Sequence, residues 1–225
     1  KLVTGVQTCA LPIFLDGLTE AGIPYAAINP NRLDIEGHWV AAAEQTSAEA
    51  LVTHLIAAGH KHIAFIRGAP QSRASAQREA GWRDALRKAG IEPASDWMED
   101  AGDFTFDAGR RCAHALFARE QPPSAIFASS DNIAAGVMNA AHERGMSLPE
   151  DLSVVGFDDL DLARKLWPNL TTVHIPFESL GEMAARQLVS HIQPLRLVEP
   201  KPGSQVMLHC DLVTRGSVAR PKRAF

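Results

Sequence analysis

PPSAIFASSDNIAAGVMNAAHERGMSLPEDLSVVGFDDLDLA, residues Pro122–Ala163, reads as a strand, a helix and a second strand in succession. Ser124–Ser129 (SAIFAS) is short and nearly all apolar, the pattern of a strand covered on both faces. Asn132–Arg144 is a helix with Gly145 behind it as C-cap. Leu152–Phe157 (LSVVGF) is a second buried strand. Two such strands joined through a helix pair in parallel, and the crossover between them is right-handed.

Outward from this unit the alternation continues in both directions. Upstream lie a helix end at Phe14–Ala21 with Gly22 as its cap, strands at Pro24–Asn29, Trp39–Ala43 and His62–Ile66, and helices at Thr46–Ala58, Ala74–Ala89 and Phe106–Ala118. Downstream come a long amphipathic helix at Glu178–Ile192 and a final strand at Gln205–Thr214. The pattern predicts an α/β protein with parallel sheets flanked by helices. In open sheets of that kind ligands sit beyond the carboxyl ends of the strands. The loops that matter are therefore GAPQSR (Gly68–Arg73), SSDN (Ser129–Asn132) and GFDD (Gly156–Asp159).

Composition narrows the function. The chain has 225 residues with 22 Lys plus Arg against 26 Asp plus Glu, a net charge of −4, which excludes nucleic-acid binding through overall basicity. No run is long and apolar enough to span a membrane. Cys9, Cys112 and Cys210 are far apart and form no CxxC, so a disulfide framework or zinc ribbon is not expected and a reducing compartment fits. There is no GxSxG elbow, no GxGxxG and no Walker A run. His60 and His62 form an HxH with no further ligand at metal spacing, and are expected as a surface pair. No catalytic group, cofactor or metal is predicted. The basic stretch Arg215–Phe225 is expected as a frayed tail.

What remains is a pocket for a polar ligand. Asp158 follows a buried strand, where a carboxylate needs donors. Arg78 offers planar paired donors, and Phe104 and Phe177 offer apolar faces to a sugar ring. Residue types alone leave two readings open: Arg78 and Asp158 bind a polyol, or they pair with each other as a scaffold ion pair.

The runs THLIAAGHKHIAFIRG (Thr53–Gly68), R-x-x-G-W (Arg78–Trp82), Pro122–Ala163, PNLTTVHIPFESLGEMAA (Pro168–Ala185) and LVTRGS (Leu212–Ser217) resemble, in order and spacing, the effector-binding domain of the LacI/GalR family of bacterial transcriptional regulators. The resemblance spans about Ile23 to Ser217. It implies a two-lobed, periplasmic-binding-protein-like fold, hinged by chain crossings, with the effector in the cleft. Arg78, Phe104, Asp158 and Phe177 match its pocket residues, Ser130 and Asp131 match its N-D pair, and Asn29 stands at a strand end where a polar pocket residue is usual. Ser130 replaces the usual asparagine, Ala43, Glu44 and Ser47 replace a D-N-x-x-G opening, and Ile175 stands where a polar residue is often found.

The resemblance further implies a lobe of residues 14–43 plus 175–203, with its first two strand–helix units missing, and a second of 44–174 plus 204–217. Residues 1–13 are foreign sequence or a poorly ordered terminus, and 218–225 a tail. The implied protein is cytoplasmic, homodimeric when intact, and not an enzyme. It senses a sugar or related small polar effector and reaches operator DNA through a helix-turn-helix headpiece absent from this chain. The competing reading is a periplasmic sugar-binding protein serving a transporter.

Overall fold

Strands made almost wholly of apolar residues must be covered on both faces. The computed structural model describes residues 12–35, 37–192 and 203–222. Residues 1–11 of the stretch 1–13, and 223–225 of the tail, lie outside the described residues. In chain order the elements are α1 (Pro12–Glu20), β1 (Ala26–Ile28), β2 (His38–Ala42), α2 (Glu44–Ala57), β3 (Ile63–Arg67), α3 (Arg73–Lys88), β4 (Met98–Asp100), α4 (Phe106–Phe117), β5 (Ala125–Ala128), α5 (Asp131–Glu143), β6 (Ser153–Val155), β7 (Thr172–His174), α6 (Phe177–Ile192), β8 (Gln205–Leu208) and β9 (Asp211–Val213). They form two compact units, Lys1–Ala43 with Pro176–His209, and Glu44–Ile175 with Cys210–Phe225.

The larger unit is built on a parallel sheet of order β4-β3-β5-β6. Side chains alternate across a strand. Ala64, Ile66, Ile126 and Ala128 therefore share one core with Cys112 and Leu116 of α4 and Ile133 and Val137 of α5. On the intervening positions, Phe65 stacks on Trp82 of α3 (centroids 5.7 Å apart) and meets Phe127 (5.0 Å), while the Trp82 indole donates to Ile63 O at 3.2 Å. The α4–α5 contact requires glycine: a Cβ on Gly136 would stand 2.1 Å from Phe106 O, and one on Gly109 2.3 Å from Ile133 O.

The structure adds two strands to this unit and corrects the reading of Gln205–Thr214, of the basic stretch and of the His60–His62 pair. β4 and β7 were not legible as strands; each has three residues, β4 reads Met-Glu-Asp, and β7 lies within the LTTV run. Gln205–Thr214 is two strands, because the chain passes from one unit to the other after His209. β8 pairs in parallel with β2, whereas β9 pairs antiparallel with β7, so residues 204–209 belong with the smaller unit and not with the larger lobe. The basic stretch is docked as far as it is described. Ser217, 1% exposed, donates its hydroxyl to Val154 O at 2.6 Å and accepts from the Thr171 amide at 2.9 Å. His60 is no surface residue: its ring nitrogens meet Ser124 Oγ (2.9 Å), Ser153 Oγ (3.0 Å) and Ala219 O (2.9 Å). His62 is also buried, with its ring against Trp97.

In the smaller unit β2 is buried along its whole length between β1 and β8, both parallel to it, with Val40 opposite Ile28 and Val206. α6 packs on this sheet. His38 ties the chain entering β8: its Nδ1 accepts from the Ser204 amide at 3.0 Å, which places the proton of the neutral ring on Nε2, 3.1 Å from Nδ1 of His191. Burial, then His191, hold the His38 pKa below its usual 6.5.

Two predictions follow from these contacts. Gly136→Ala forces the α4 and α5 backbones apart and costs about 1–3 kcal/mol, whereas Gly181→Ala in α6, where an added Cβ meets nothing within 4 Å, stabilises by up to about 1 kcal/mol; urea unfolding of the two variants reads the opposite signs. His38 has a lowered folded pKa, so its contribution is present above pH 6.5 and is lost as pH falls below it. Amide exchange at Ser204 and along β8 accelerates on acidification in the wild type, and His38→Gln abolishes that pH dependence.

Candidate functional site

The carboxyl ends of β3, β5 and β6 bring three loops together, and α3 rises from the first of them. Arg78, two turns into α3, is 4% exposed. A guanidinium so removed from water needs acceptors on each nitrogen. Its Nε donates to Glu44 Oε2 at 2.6 Å, its Nη1 to Ser129 O, and its Nη2 to Asp158 Oδ1 at 3.1 Å. Its carbon lies 4.0 Å from the centroid of the Phe157 ring, a cation–π contact. Burial works against the charge, but Glu44 and then Asp158 outweigh it and hold the Arg78 pKa above its usual value.

Asp158, three residues past β6, lies in the left-handed half of backbone space, with φ +115°, and Asp159 follows at φ +56°. Such a turn is strained for residues with a Cβ. It is held by the Asp158 amide donating to Val173 O at 2.9 Å, and by Asp159, whose carboxylate accepts from Arg215 and, at 3.1 Å, from His174. Burial opposes the Asp159 charge, and Arg215 leads the groups that overcome it, so this carboxyl titrates below its usual range. Asp158 differs. Burial pushes its pKa up to about 6 against the pull of Arg78, and Glu44 adds to the rise. Arg78 is its side-chain partner, through Oδ1 alone, and its side chain is 18% exposed.

The other expected site residues fall into three groups. Phe104 is half-buried with its ring laid over Gly68; a Cβ there would stand 2.2 Å from the ring, so glycine is required. Ser130 and Asp131 are turned inward. Ser130 caps α5, its hydroxyl accepting from the Ile133 amide at 3.3 Å. Asp131 is fully buried, and both its oxygens are engaged, by Thr172 Oγ1 at 2.6 Å and the Leu160 amide at 2.7 Å. Burial is the main cause that pushes its pKa up to about 7. The expectation that Asp131 faces a ligand gives way to a scaffold role. Asn29 and Phe177 belong to the smaller unit. Asn29 closes the β1–β2 end, its Oδ1 accepting from the Ala42 amide at 2.7 Å, while Phe177 opens α6 and is 52% exposed.

Sequence reading missed Glu44, noting it only as a departure from a motif. The available signal was an acid opening a helix straight after an all-apolar strand, a place where a buried carboxylate must find a cation. It also missed Ser129 and Ser75, whose buried hydroxyls have no hydrogen-bond partner among the described residues. Ser75 sits one turn before Arg78 on the same face of α3. Among the described residues no cluster of His, Cys, Asp or Glu could hold a metal ion, and no described helix is long and apolar enough to cross a membrane.

A model of the periplasmic binding protein-like domain matches residues 52–218. The chain belongs to that family. Within it the likeness is to LacI-type regulators. The chain is 37% identical over 166 residues to the HTH-type transcriptional repressor PurR of Erwinia tasmaniensis, covering 74% of this chain and 47% of PurR. It is 37% identical over 172 residues to the repressor CytR of Escherichia coli K12 (76% and 49%), and 30% identical over 208 residues to the probable repressor ExuR of Bacillus subtilis (92% and 61%). It spans about half the length of the first two. Among solved structures it superposes on the transcriptional regulator CelR in complex with cellobiose with a TM-score of 0.83 at 31% identity, covering 91% of this chain and 62% of that one. It superposes on a LacI regulator from Bacillus cereus subsp. cytotoxis, again with a TM-score of 0.83, at 29% identity (92% and 72%). These relatives are named as transcriptional regulators, neither enzymes nor transporter components.

Arg78→Met takes from the buried Glu44 carboxylate its hydrogen-bonded cation and leaves only the charge of Arg73 to face it. The expected loss is about 3–5 kcal/mol, read as a lower urea midpoint of the larger unit's transition.

Proposed function

We propose that this chain is the effector-sensing domain of a LacI/GalR-type transcriptional regulator, and that the effector is a sugar or related small polar molecule gripped by Asp158. The observation that carries the reading is the carboxylate itself. Asp158 lies at the carboxyl end of a parallel sheet, fixed by Arg78 through one oxygen while the other has no side-chain partner among the described residues. An ionised carboxylate in that position accepts hydroxyl hydrogens of a polyol. Ser75 and Ser129 add hydroxyls, and the Phe104 ring an apolar face. Phe177 and Asn29, carried by the smaller unit, are assigned as further ligand contacts on the resemblance alone.

In the intact regulator the effector shifts a two-state equilibrium of the sensing domain, and a dimer converts that shift into a change in operator affinity at its DNA-reading heads. The names of the relatives support regulation over transport. The cellobiose complex of CelR supports a saccharide as the ligand class.

Asp158→Asn separates the ligand role from a scaffold role. The folded pKa of Asp158, about 6, lies above its usual 3.8. Its ionisation therefore works against folding, and stability is lost as pH rises through about 6. Asparagine removes that cost, tolerates positive φ, and leaves Arg78 on Glu44 and Ser129. The variant is expected to be more stable than wild type at neutral pH, by on the order of 1–2 kcal/mol, with the gain vanishing in acid. It should bind the effector at least about tenfold more weakly, since a charge-assisted hydrogen bond contributes about 1.5–3 kcal/mol. Thermal melts across pH and calorimetric titration with a sugar panel check both. A variant that melts far lower and binds normally overturns the assignment.

A further inference from the structure

Glu44 changes what Arg78 can do for a ligand. A guanidinium grips a carboxylate or phosphate with two parallel N–H groups, along either its Nε–Nη edge or its Nη1–Nη2 edge. Here one acceptor of the chain stands on each nitrogen: Glu44 on Nε, Ser129 O on Nη1, Asp158 on Nη2. The Nε–Nη edge is closed by Glu44, and each terminal nitrogen already serves one acceptor, so at most two of the five N–H groups remain for a ligand. The charges are also matched from within. Glu44, 2% exposed, and Asp158 oppose Arg78, and Glu44 in addition faces Arg73, the half-buried first residue of α3. Two carboxylates meet two guanidiniums, so every cation of the cluster is opposed by an acid of the chain itself. An incoming anion meets Asp158 first and adds a third negative charge to a site shielded from water, where like charges repel strongly. A neutral hydroxyl or an amine adds none, and donates to the oxygen that Asp158 keeps available.

We propose that Glu44 is the specificity-determining residue of this site: by occupying Nε of Arg78 and opposing its charge alongside Asp158, it makes the site accept neutral or amine-bearing polyols and reject carboxylated and phosphorylated ones. The inference rests on the sensing role of Asp158 given above, and adds the charge class of the effector. Glu44 acts as a positioning residue, through Arg78 and without touching the ligand.

The test uses matched pairs that share a carbon skeleton and differ in charge: galactose with galacturonate, glucose with glucose 6-phosphate, cellobiose with cellobionate. Each is titrated calorimetrically into the full chain, into Glu44→Gln and into Asp158→Asn. For whichever skeleton binds the wild type, the anionic member is expected to bind at least about tenfold more weakly than the neutral one. In Glu44→Gln that ratio falls several-fold, because the amide oxygen still accepts from Arg78 Nε while one of the negative charges that repel an anion is gone. An anionic member that binds the wild type as well as its neutral partner, and loses affinity in Asp158→Asn, overturns the selectivity while leaving the sensing role standing. So does a ratio unchanged in a folded Glu44→Gln. If Glu44→Gln has no cooperative melt, the wild-type ratio decides alone, since it needs no variant. If no member of any pair binds, or binding ignores Asp158→Asn, the sensing role falls and the selectivity with it.

Discussion

A guanidinium taken out of water must be met on every side, and in this protein the groups that meet Arg78 come from elements far apart in sequence. Glu44 opens α2, Ser129 directly follows β5, Asp158 stands three residues past β6, and the Phe157 ring lies against the cation. Removing Arg78 takes from a buried carboxylate its hydrogen-bonded cation, so the strand ends of the larger unit depend on this one side chain. The same arrangement shapes the proposed site. Three acceptors fix Arg78, and Arg78 fixes one oxygen of Asp158. In the proposed function the scaffold ion pair and the ligand grip use the two oxygens of one carboxylate.

Asp158 is held in its place at a cost that is visible twice: in a backbone angle of φ +115°, and in a pKa pushed up to about 6. Strain and an ionisation that opposes folding are tolerated where function requires them. Asp131, one strand away, shows the contrast. It too is raised, to about 7, yet both its oxygens are engaged within the chain. Two aspartates at neighbouring strand ends thus differ in how many of their oxygens side chains and amides of the chain engage.

The sequence showed the parallel α/β plan because its strands are short apolar runs separated by well-capped helices, and those signals are local. It also showed Arg78 and Asp158 as chemistry-bearing residues, through position at strand ends and through family resemblance. Other features were hidden for physical reasons. β4 and β7 have three residues each, too few for any period to emerge. The break between β8 and β9 follows the passage of the chain between units, which no local pattern records. Glu44 lies 34 residues from Arg78 and 114 from Asp158, so its role exists only once the fold has joined them. His60 and Ser217 looked like surface by composition and are buried: Ser153, Ser124 and Ala219 meet the imidazole, and Val154 and Thr171 meet the Ser217 hydroxyl.

The most direct test of the account is a pH titration of the Asp158 carboxyl carbon by NMR, with and without a saturating saccharide. The account predicts an apparent pKa of about 6 in the free protein, falling when a ligand donates hydrogen bonds to the charged form. A carboxyl that titrates near its usual 3.8 and does not respond to any bound saccharide would contradict it.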